Sequence, residues 1–142
     1  MDDRLLFQLS RAGHKLKTHV QKQMKNQGIA ISPGQAGILF LLNKTDAMKM
    51  SELGGLLGID NSAITRLVDC LEDTGFVERR MNPKDRRQYL VSITEKGRVE
   101  IRKVQKIANH TNEIIKQGFT PGEIETFIKV LDSFHIKFQK GD

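Results

Sequence analysis

Two short apolar-periodic segments joined by only Gly58-Ile59-Asp60 restrict the fold more than any other stretch of the chain. The first runs from Glu52 to Leu57, with Ser51 as its expected cap and Gly58 as its end. The second runs from Asn61 to Thr74, with Asp60 as its expected cap and Gly75 as its end. Two short helices with so tight a turn make a helix-turn-helix, whose second helix can enter a DNA major groove N-terminus first. On a helical wheel Ile64, Leu67, Val68 and Leu71 share one face and are expected to pack on Leu53, Leu56 and Leu57. The other face presents Asn61, Ser62, Thr65, Arg66 and Asp69. Asparagine, serine and threonine hydrogen-bond base edges and phosphates, and arginine forks onto guanine or holds phosphate. An ordinary solvated helix also has a polar outside, so this face alone leaves both readings open. Asp69, Glu72 and Asp73 oppose phosphate contact, but they lie toward the end of the helix that points away from the groove.

Directly downstream, Asn82-Pro83-Lys84-Asp85-Arg86-Arg87 separates two β-type runs, Phe76 to Met81 and Gln88 to Ile93. Asn-Pro begins a turn, and proline cannot continue a strand ladder. The spacing predicts a two-stranded hairpin with its basic residues at the tip. A rigid arm ending in arginine suits a DNA groove, although a charged hairpin tip is also a common solvated surface.

The remaining periodicity is helical. Leu5, Leu6, Leu9, Leu16, Val20 and Met24 predict a long first helix closed by Gly28. Ser32-Pro33-Gly34-Gln35 is a capping box that opens a second helix through Ile38, Leu39, Leu41 and Leu42. Thr45-Asp46-Ala47 reads as a loop. Thr94 caps a long fifth helix with Glu95 at its positive end. Thr120-Pro121-Gly122-Glu123 is a second capping box, and the last helix runs through Ile124, Phe127, Ile128, Leu131, Phe134 and Phe138.

At 142 residues the chain suits one domain with one core. A net charge of +6 and a pI near 9.6 keep nucleic acid and anionic surfaces in play. Cys70 is the only cysteine, which excludes an internal disulfide and fits a reducing, cytoplasmic location. Met1-Asp2-Asp3-Arg4 carries no signal-peptide pattern, and the run around Ile38 to Leu42 is too short for a membrane span. No membrane, cofactor or metal partner is expected. The histidines at 14, 19, 110 and 135 have no metal-ligand spacing, because His14 and His19 differ by five rather than four. Cys70 reads as a small half-buried side chain, and its neighbours Asp69 and Glu72 disfavour a reactive thiolate. No phosphate loop, paired metal-ligand motif or nucleophile with its base is present, so an enzyme is not expected.

Taken together, these motifs resemble a winged helix-turn-helix regulator of the MarR family. The matching residues are Ser51-Glu52-Leu53 to Leu57-Gly58-Ile59, Ser62 to Val68, Leu71-Glu72, Gly75 to Arg79, Asp85-Arg86-Arg87, Val91, and Thr94-Glu95-Lys96-Gly97. The resemblance implies a mainly α, single MarR-type domain over residues 1–142, with a winged-helix lobe at about 32–94 and dimerisation helices at about 1–27 and 95–139. It implies a homodimeric, ligand-responsive repressor on palindromic double-stranded DNA, with activation as the alternative. Asn61, Ser62, Thr65 and Arg66 would read bases. In the wing, Arg86 would enter the minor groove, Asp85 would orient it, and Lys84 and Arg87 would support the wing or touch phosphate. A carboxylate beside two guanidinium groups is able to fix one of them, so Asp85 serves geometry more than affinity.

Leu5, Leu6 and Phe7 at one end, with Ile128, Leu131, Phe134, Ile136 and Phe138 at the other, either form a two-fold interface or cover the monomer core; the resemblance favours the interface. It also adds a small aromatic or phenolic anion as candidate effector, in an apolar pocket to which Arg11 or His14 of the first helix could contribute. The chain departs from the family at Gly54-Gly55, inside a helix where each glycine costs about 0.5–1 kcal/mol relative to alanine. Close backbone packing is the expected reason, and a deliberately soft support helix is the alternative.

Overall fold

A computed structural model describes residues 4–139, so the outermost ends of the expected 1–142 domain, including Met1 to Asp3, lie outside the described residues. In chain order the elements are α1 (Leu5–Asn26), α2 (Pro33–Leu42), β1 (Met48–Lys49), α3 (Met50–Leu57), α4 (Asn61–Asp73), β2 (Val77–Asn82), β3 (Asp85–Ile93), α5 (Glu95–Lys116) and α6 (Pro121–Lys137). The chain divides into two compact units, Met1–Ala108 and Asn109–Asp142, with the boundary inside α5.

Capping sets most boundaries of the first unit. The Ser32 hydroxyl accepts from the Gln35 amide at 3.2 Å, and the Gln35 side chain accepts from the Ser32 amide at 2.9 Å. This reciprocal pair starts α2, and Pro33 at the first position lacks only an N–H that would be orphaned anyway. Between α2 and α3, Met48 and Lys49 pair with Val91 and Leu90 of β3. The sheet is therefore three-stranded and antiparallel in the order β1-β3-β2, one strand more than the hairpin predicted from sequence. This strand also moves the start of α3. Its extended backbone runs through Lys49, the helix begins at Met50, and the Glu52 carboxylate accepts from the Lys49 amide at 3.3 Å. Ser51, the expected cap, lies in the first turn instead.

The core of this unit gathers Ile38, Leu39 and Leu42 of α2, Leu53 of α3, Ile64, Val68 and Leu71 of α4, Val77 and Val91 of the sheet, and Ile101, Val104 and Ile107 of α5. The apolar face expected for α4 is buried as read, with Leu67 at its margin. Leu53 and Leu57 belong to the core, but Leu56 is 65% exposed. The inward face of α3 is centred on Leu53, Gly54 and Leu57, which turns Leu56 outward. Cys70 is likewise exposed rather than half-buried, because it falls on the flank of α4 beyond Leu67.

Gly54 and Gly55 have different roles. A Cβ on Gly54 would sit 2.9 Å from the Ile59 carbonyl oxygen and 3.4 Å from Ile64 Cγ1, whereas one on Gly55 would meet nothing within 4 Å. The Gly54 carbonyl accepts from the Ile59 amide at 3.0 Å, and Gly58 takes the left-handed conformation that ends α3 at φ 66°. Close packing therefore accounts for Gly54 and not for Gly55.

A second close approach joins the wing to α5. The Thr94 hydroxyl donates to the Gly75 carbonyl at 2.6 Å and accepts from the Gly97 amide at 3.1 Å. A Cβ on Gly97 would overlap the Phe76 carbonyl. The Thr-Glu-Lys-Gly sequence is thus a helix cap fitted against the first residues of the wing.

In the second unit, Gly118 adopts φ 86°, and Thr120 and Glu123 form the predicted capping box of α6. Helix α6 has no buried residue. Its apolar side chains include Phe127, 47% exposed, Ile128, 50%, and Ile136, 73%.

The two adjacent glycines should respond oppositely to alanine. Gly54→Ala is expected to lower unfolding stability by about 1–3 kcal/mol through overpacking. Gly55→Ala should raise it by about 0.4–1 kcal/mol by restricting the unfolded chain. Urea unfolding of both variants decides the matter; equal effects of one sign would contradict this division.

Candidate nucleic-acid interface

The face expected to read bases starts at the first turn of α4. Asp60, in extended conformation, accepts from the Ala63 amide at 2.9 Å and from the Ser62 hydroxyl at 2.8 Å. These two bonds, together with nearby Arg66, hold its carboxyl below the ordinary carboxylate value. Asn61, Ser62, Thr65 and Arg66 are all exposed, as expected. Two of them are already engaged as donors, since Ser62 bonds to Asp60 and the Thr65 hydroxyl donates to the Asn61 carbonyl at 2.8 Å.

The wing departs from a regular hairpin. Pairing is regular from Val77↔Ile93 to Met81↔Tyr89, and then Asn82 pairs with Asp85. Arg86, Arg87 and Gln88 are extra residues on β3 at this register shift, and only Pro83 and Lys84 form the turn. The arginines therefore sit on a bulge of the strand rather than at the tip itself, and bulges re-aim side chains. Asn82 supports the irregularity from inside. It is 8% exposed, accepts from the Lys84 amide at 3.1 Å, and donates toward Gln88 Oε1 at 3.4 Å.

Asp85 holds a different partner from the one expected. Its Oδ1 accepts from the Arg87 amide at 3.1 Å and from Arg87 Nε at 3.3 Å. Two residues along a locally bent strand bring the Arg87 backbone and side chain back to the carboxylate, and among the described residues no such bond joins Asp85 to Arg86. Arg86 is exposed and makes no hydrogen bond or ion pair among the described residues. Lys84 is exposed at the turn.

Between the wing and α4 lies a cleft of about 300 Å³ that brings Asn61, Thr65 and Arg87 together with Lys49, Ser51 and Tyr89, over Met50 and Ile64. Ser62, Arg66, Lys84 and Arg86 are not in its lining. Lys49 and Tyr89 escaped the sequence reading, although a lysine beside the helix-turn-helix start and a lone aromatic next to the basic run were both visible signals.

Arg79 escaped it too. Strand periodicity places it across from buried Val91, on the face that meets α4. Its Nη2 donates to Asp69 Oδ1 at 2.6 Å and to Glu72 Oε1 at 2.9 Å. The two carboxylates raise its already high pKa, the Glu72 hydrogen bond most. Asp69 and Glu72 are thus charge-paired. Arg11 and His14, candidates for an effector site, are both exposed on α1, with Arg11 over the Phe7 ring at 5.6 Å.

The sequence model of the MarR family matches residues 31–89, which include the whole helix-turn-helix and most of the wing. Among relatives, the uncharacterized HTH-type transcriptional regulator YkoM of Bacillus subtilis (strain 168) is 28% identical over 132 residues, covering 92% of this chain and 83% of YkoM. The HTH-type transcriptional repressor MdtR of the same organism is 31% identical over 90 residues, or 63% of this chain; the match spans only 57% of MdtR. A MarR-family regulator from Rhodococcus sp. RHA1 superposes with a TM-score of 0.81 at 25% identity, over 97% of this chain and 95% of that one. The repressor CouR, solved on a 23-mer DNA duplex, shares the fold with a TM-score of 0.83 at 22% identity, over 92% and 91%.

The Asp60 cap makes a pH prediction with a defined sign. Because the folded value lies below the ordinary 3.8, the carboxylate contributes stability above pH 3.8 that is lost as pH falls through the folded value. Asp60→Asn should keep a cap at neutral pH and flatten this part of the acid-unfolding curve. An unchanged slope below pH 4 would show that the charge of Asp60 contributes nothing.

Proposed function

We propose that this chain is a transcriptional regulator of the MarR family that binds double-stranded DNA sequence-specifically as a homodimer, as a ligand-responsive repressor on a palindromic operator. The family and these relatives are regulators, not enzymes. The observation that carries the reading is the joint display, within one compact unit, of an exposed polar face on the first two turns of α4 and of Arg86 on the neighbouring wing, exposed and without an ion pair among the described residues.

In this reading Asn61, Ser62, Thr65 and Arg66 face base edges in the major groove, where each carries a group suited to hydrogen bonding. Arg86 enters the adjacent minor groove, whose narrow, electronegative floor attracts a guanidinium. Lys84 and Arg87 neutralise phosphate, and Asp85 fixes Arg87 rather than Arg86. The charge of +6 supplies attraction that is independent of sequence. MdtR is a repressor and CouR is a repressor bound to DNA, and both support the same role here.

Two-fold assembly is supported by the outer surfaces. Leu5, Leu6 and Phe7 are 61–80% exposed on α1, and α6 carries Phe127, Ile128 and Ile136 without burying one residue. An amphipathic helix that buries nothing in its own chain needs a partner surface. A second copy provides one and would set two reading helices about 34–36 Å apart, one turn of DNA. An open apolar groove in the second unit, lined by Ile115, Phe119, Phe127 and Val130 and edged by Thr120 and Glu123, adds to the apolar area that a second copy would cover. A small aromatic or phenolic effector is proposed as the release signal, and thermal-shift screening would reveal it. Such a regulator works in the cytoplasm, where the DNA is.

Fluorescence anisotropy with DNA from upstream of the chain's own gene, at several salt concentrations, tests the DNA reading. Log affinity should fall linearly with log salt, by about 0.9 per phosphate neutralised. Arg86→Ala should weaken binding with folding and oligomeric state intact. Thr65→Ala or Arg66→Ala should re-rank related sites by about 1–3 kcal/mol where a base contact is lost. Specific retention on no fragment would refute the regulator reading for this chain. In sedimentation, wild type should run as a dimer and Phe127→Asp with Ile128→Asp as a monomer; a dimer in both cases would place the interface elsewhere.

A further inference from the structure

Among the described residues, one side chain ties the two proposed DNA-contacting elements ionically, and it needs no DNA contact itself. Arg79 lies on the inner row of the wing beside buried Val77 and opposite buried Val91. Its side chain is only 21% exposed. One nitrogen, Nη2, is shared by Asp69 and Glu72, which stand one turn apart on the same side of α4. The guanidinium also lies 5.7 Å from the centroid of the Tyr89 ring. Tyr89 pairs with Met81 at the last regular rung before the register slips. The tie therefore fastens both wing strands to the recognition helix immediately below the bulge that carries Arg86.

Beyond that rung the wing has few restraints. Asn82 and Asp85 make short-range bonds that shape the bulge internally, and neither reaches the recognition helix. The separation between Arg86 and the face starting at Asn61 is thus set lower down, where β2 meets α4. A groove-entering arginine gains affinity only if it is held in register with the helix that docks beside it, because a loose arm must be ordered at the moment of binding.

We propose that Arg79 is the positioning residue that locks the wing to the recognition helix through Asp69 and Glu72, so that Arg86 and the α4 face engage DNA as one rigid unit. This rests on the DNA reading above. It also gives the two carboxylates a use. Left unpaired they would repel phosphate, whereas paired they anchor the arm. A purely electrostatic account and the positioning account therefore disagree about removing them. The first predicts tighter DNA binding for Asp69→Asn with Glu72→Gln, since two negative charges disappear. The second predicts weaker binding, since the anchor disappears.

The decisive experiment is a double-mutant cycle on a DNA fragment that wild type retains, combining Arg86→Ala with Arg79→Gln and, separately, with the Asp69→Asn, Glu72→Gln pair. The expected result is that the fold-loss caused by Arg86→Ala shrinks by about threefold or more once the tie is cut. Arg79→Lys, which keeps the charge, should restore part of the coupling. Hydrogen exchange in the free protein should quicken across Met81 to Tyr89 while the buried core of α2 stays protected. The same fold-loss from Arg86→Ala in every background, or tighter binding by the carboxylate pair variant, overturns the proposal. The carboxylate pair variant keeps the test valid where Arg79→Gln fails to fold. If wild type itself holds no fragment, the DNA reading has failed, and the exchange experiment still judges the tie: unchanged wing protection in the cut variants overturns it.

Discussion

Everything on the reading side of the molecule depends on the close approach of α3 to the turn that follows it. At Gly54 the helix leaves only the room a hydrogen atom needs, and the Ile59 carbonyl occupies the rest. With the left-handed Gly58 and the Asp60 cap, that contact fixes where α4 begins and which way its first turn faces. The apolar stripe of Ile64, Val68 and Leu71 then fixes its rotation about its own axis. Side chains at Asn61, Ser62, Thr65 and Arg66 have no freedom left except to point outward. A larger residue at position 54 would push the turn away and shift the entire polar face.

The wing is built by a different balance. Its lower half is a regular ladder whose inner row is buried at Val77, Val91 and Ile93, and its upper half is an irregular segment shaped by Asn82 and Asp85. Regular pairing supplies stiffness, and the irregularity supplies aim. The third strand, β1, adds a rung on the other side of β3, so the longest strand is flanked on both sides near its base. Partly exposed ion pairs contribute little on average. Arg79 differs in having two carboxylate partners and an aromatic neighbour, so ordering one side chain serves several contacts at once.

The legible part of this fold was the part governed by local rules. Capping boxes at Ser32 and Thr120, glycine ends at 28, 58 and 75, and the periodicity of α4 each rest on residues a few positions apart. They were read from sequence with boundaries that the structure keeps to within a residue or two. What sequence hid was non-local. The pairing of Met48-Lys49 with residues about forty positions later created β1 and displaced the cap expected at Ser51. The salt bridge from Arg79 crosses from strand to helix, and the slip at Asn82 depends on a register that no single run encodes. The outward turn of Leu56 followed from the inward packing of Leu53, Gly54 and Leu57, and the exposure of Cys70 from its place on the flank of α4.

The two hydroxyls on the reading face have spent their protons before any ligand arrives: Ser62 gives its own to Asp60, and Thr65 gives its own to the Asn61 carbonyl. What these two hydroxyls keep outward is lone pairs and, at Thr65, a methyl group. Such a face is complementary to base edges that donate, the exocyclic amines of adenine and cytosine, and to the thymine methyl. The hydroxyls are poorly matched to the paired acceptors of guanine, for which Asn61 and Arg66 carry the donors. In the proposed docking the hydroxyls favour donating base edges, and Arg66 favours accepting ones.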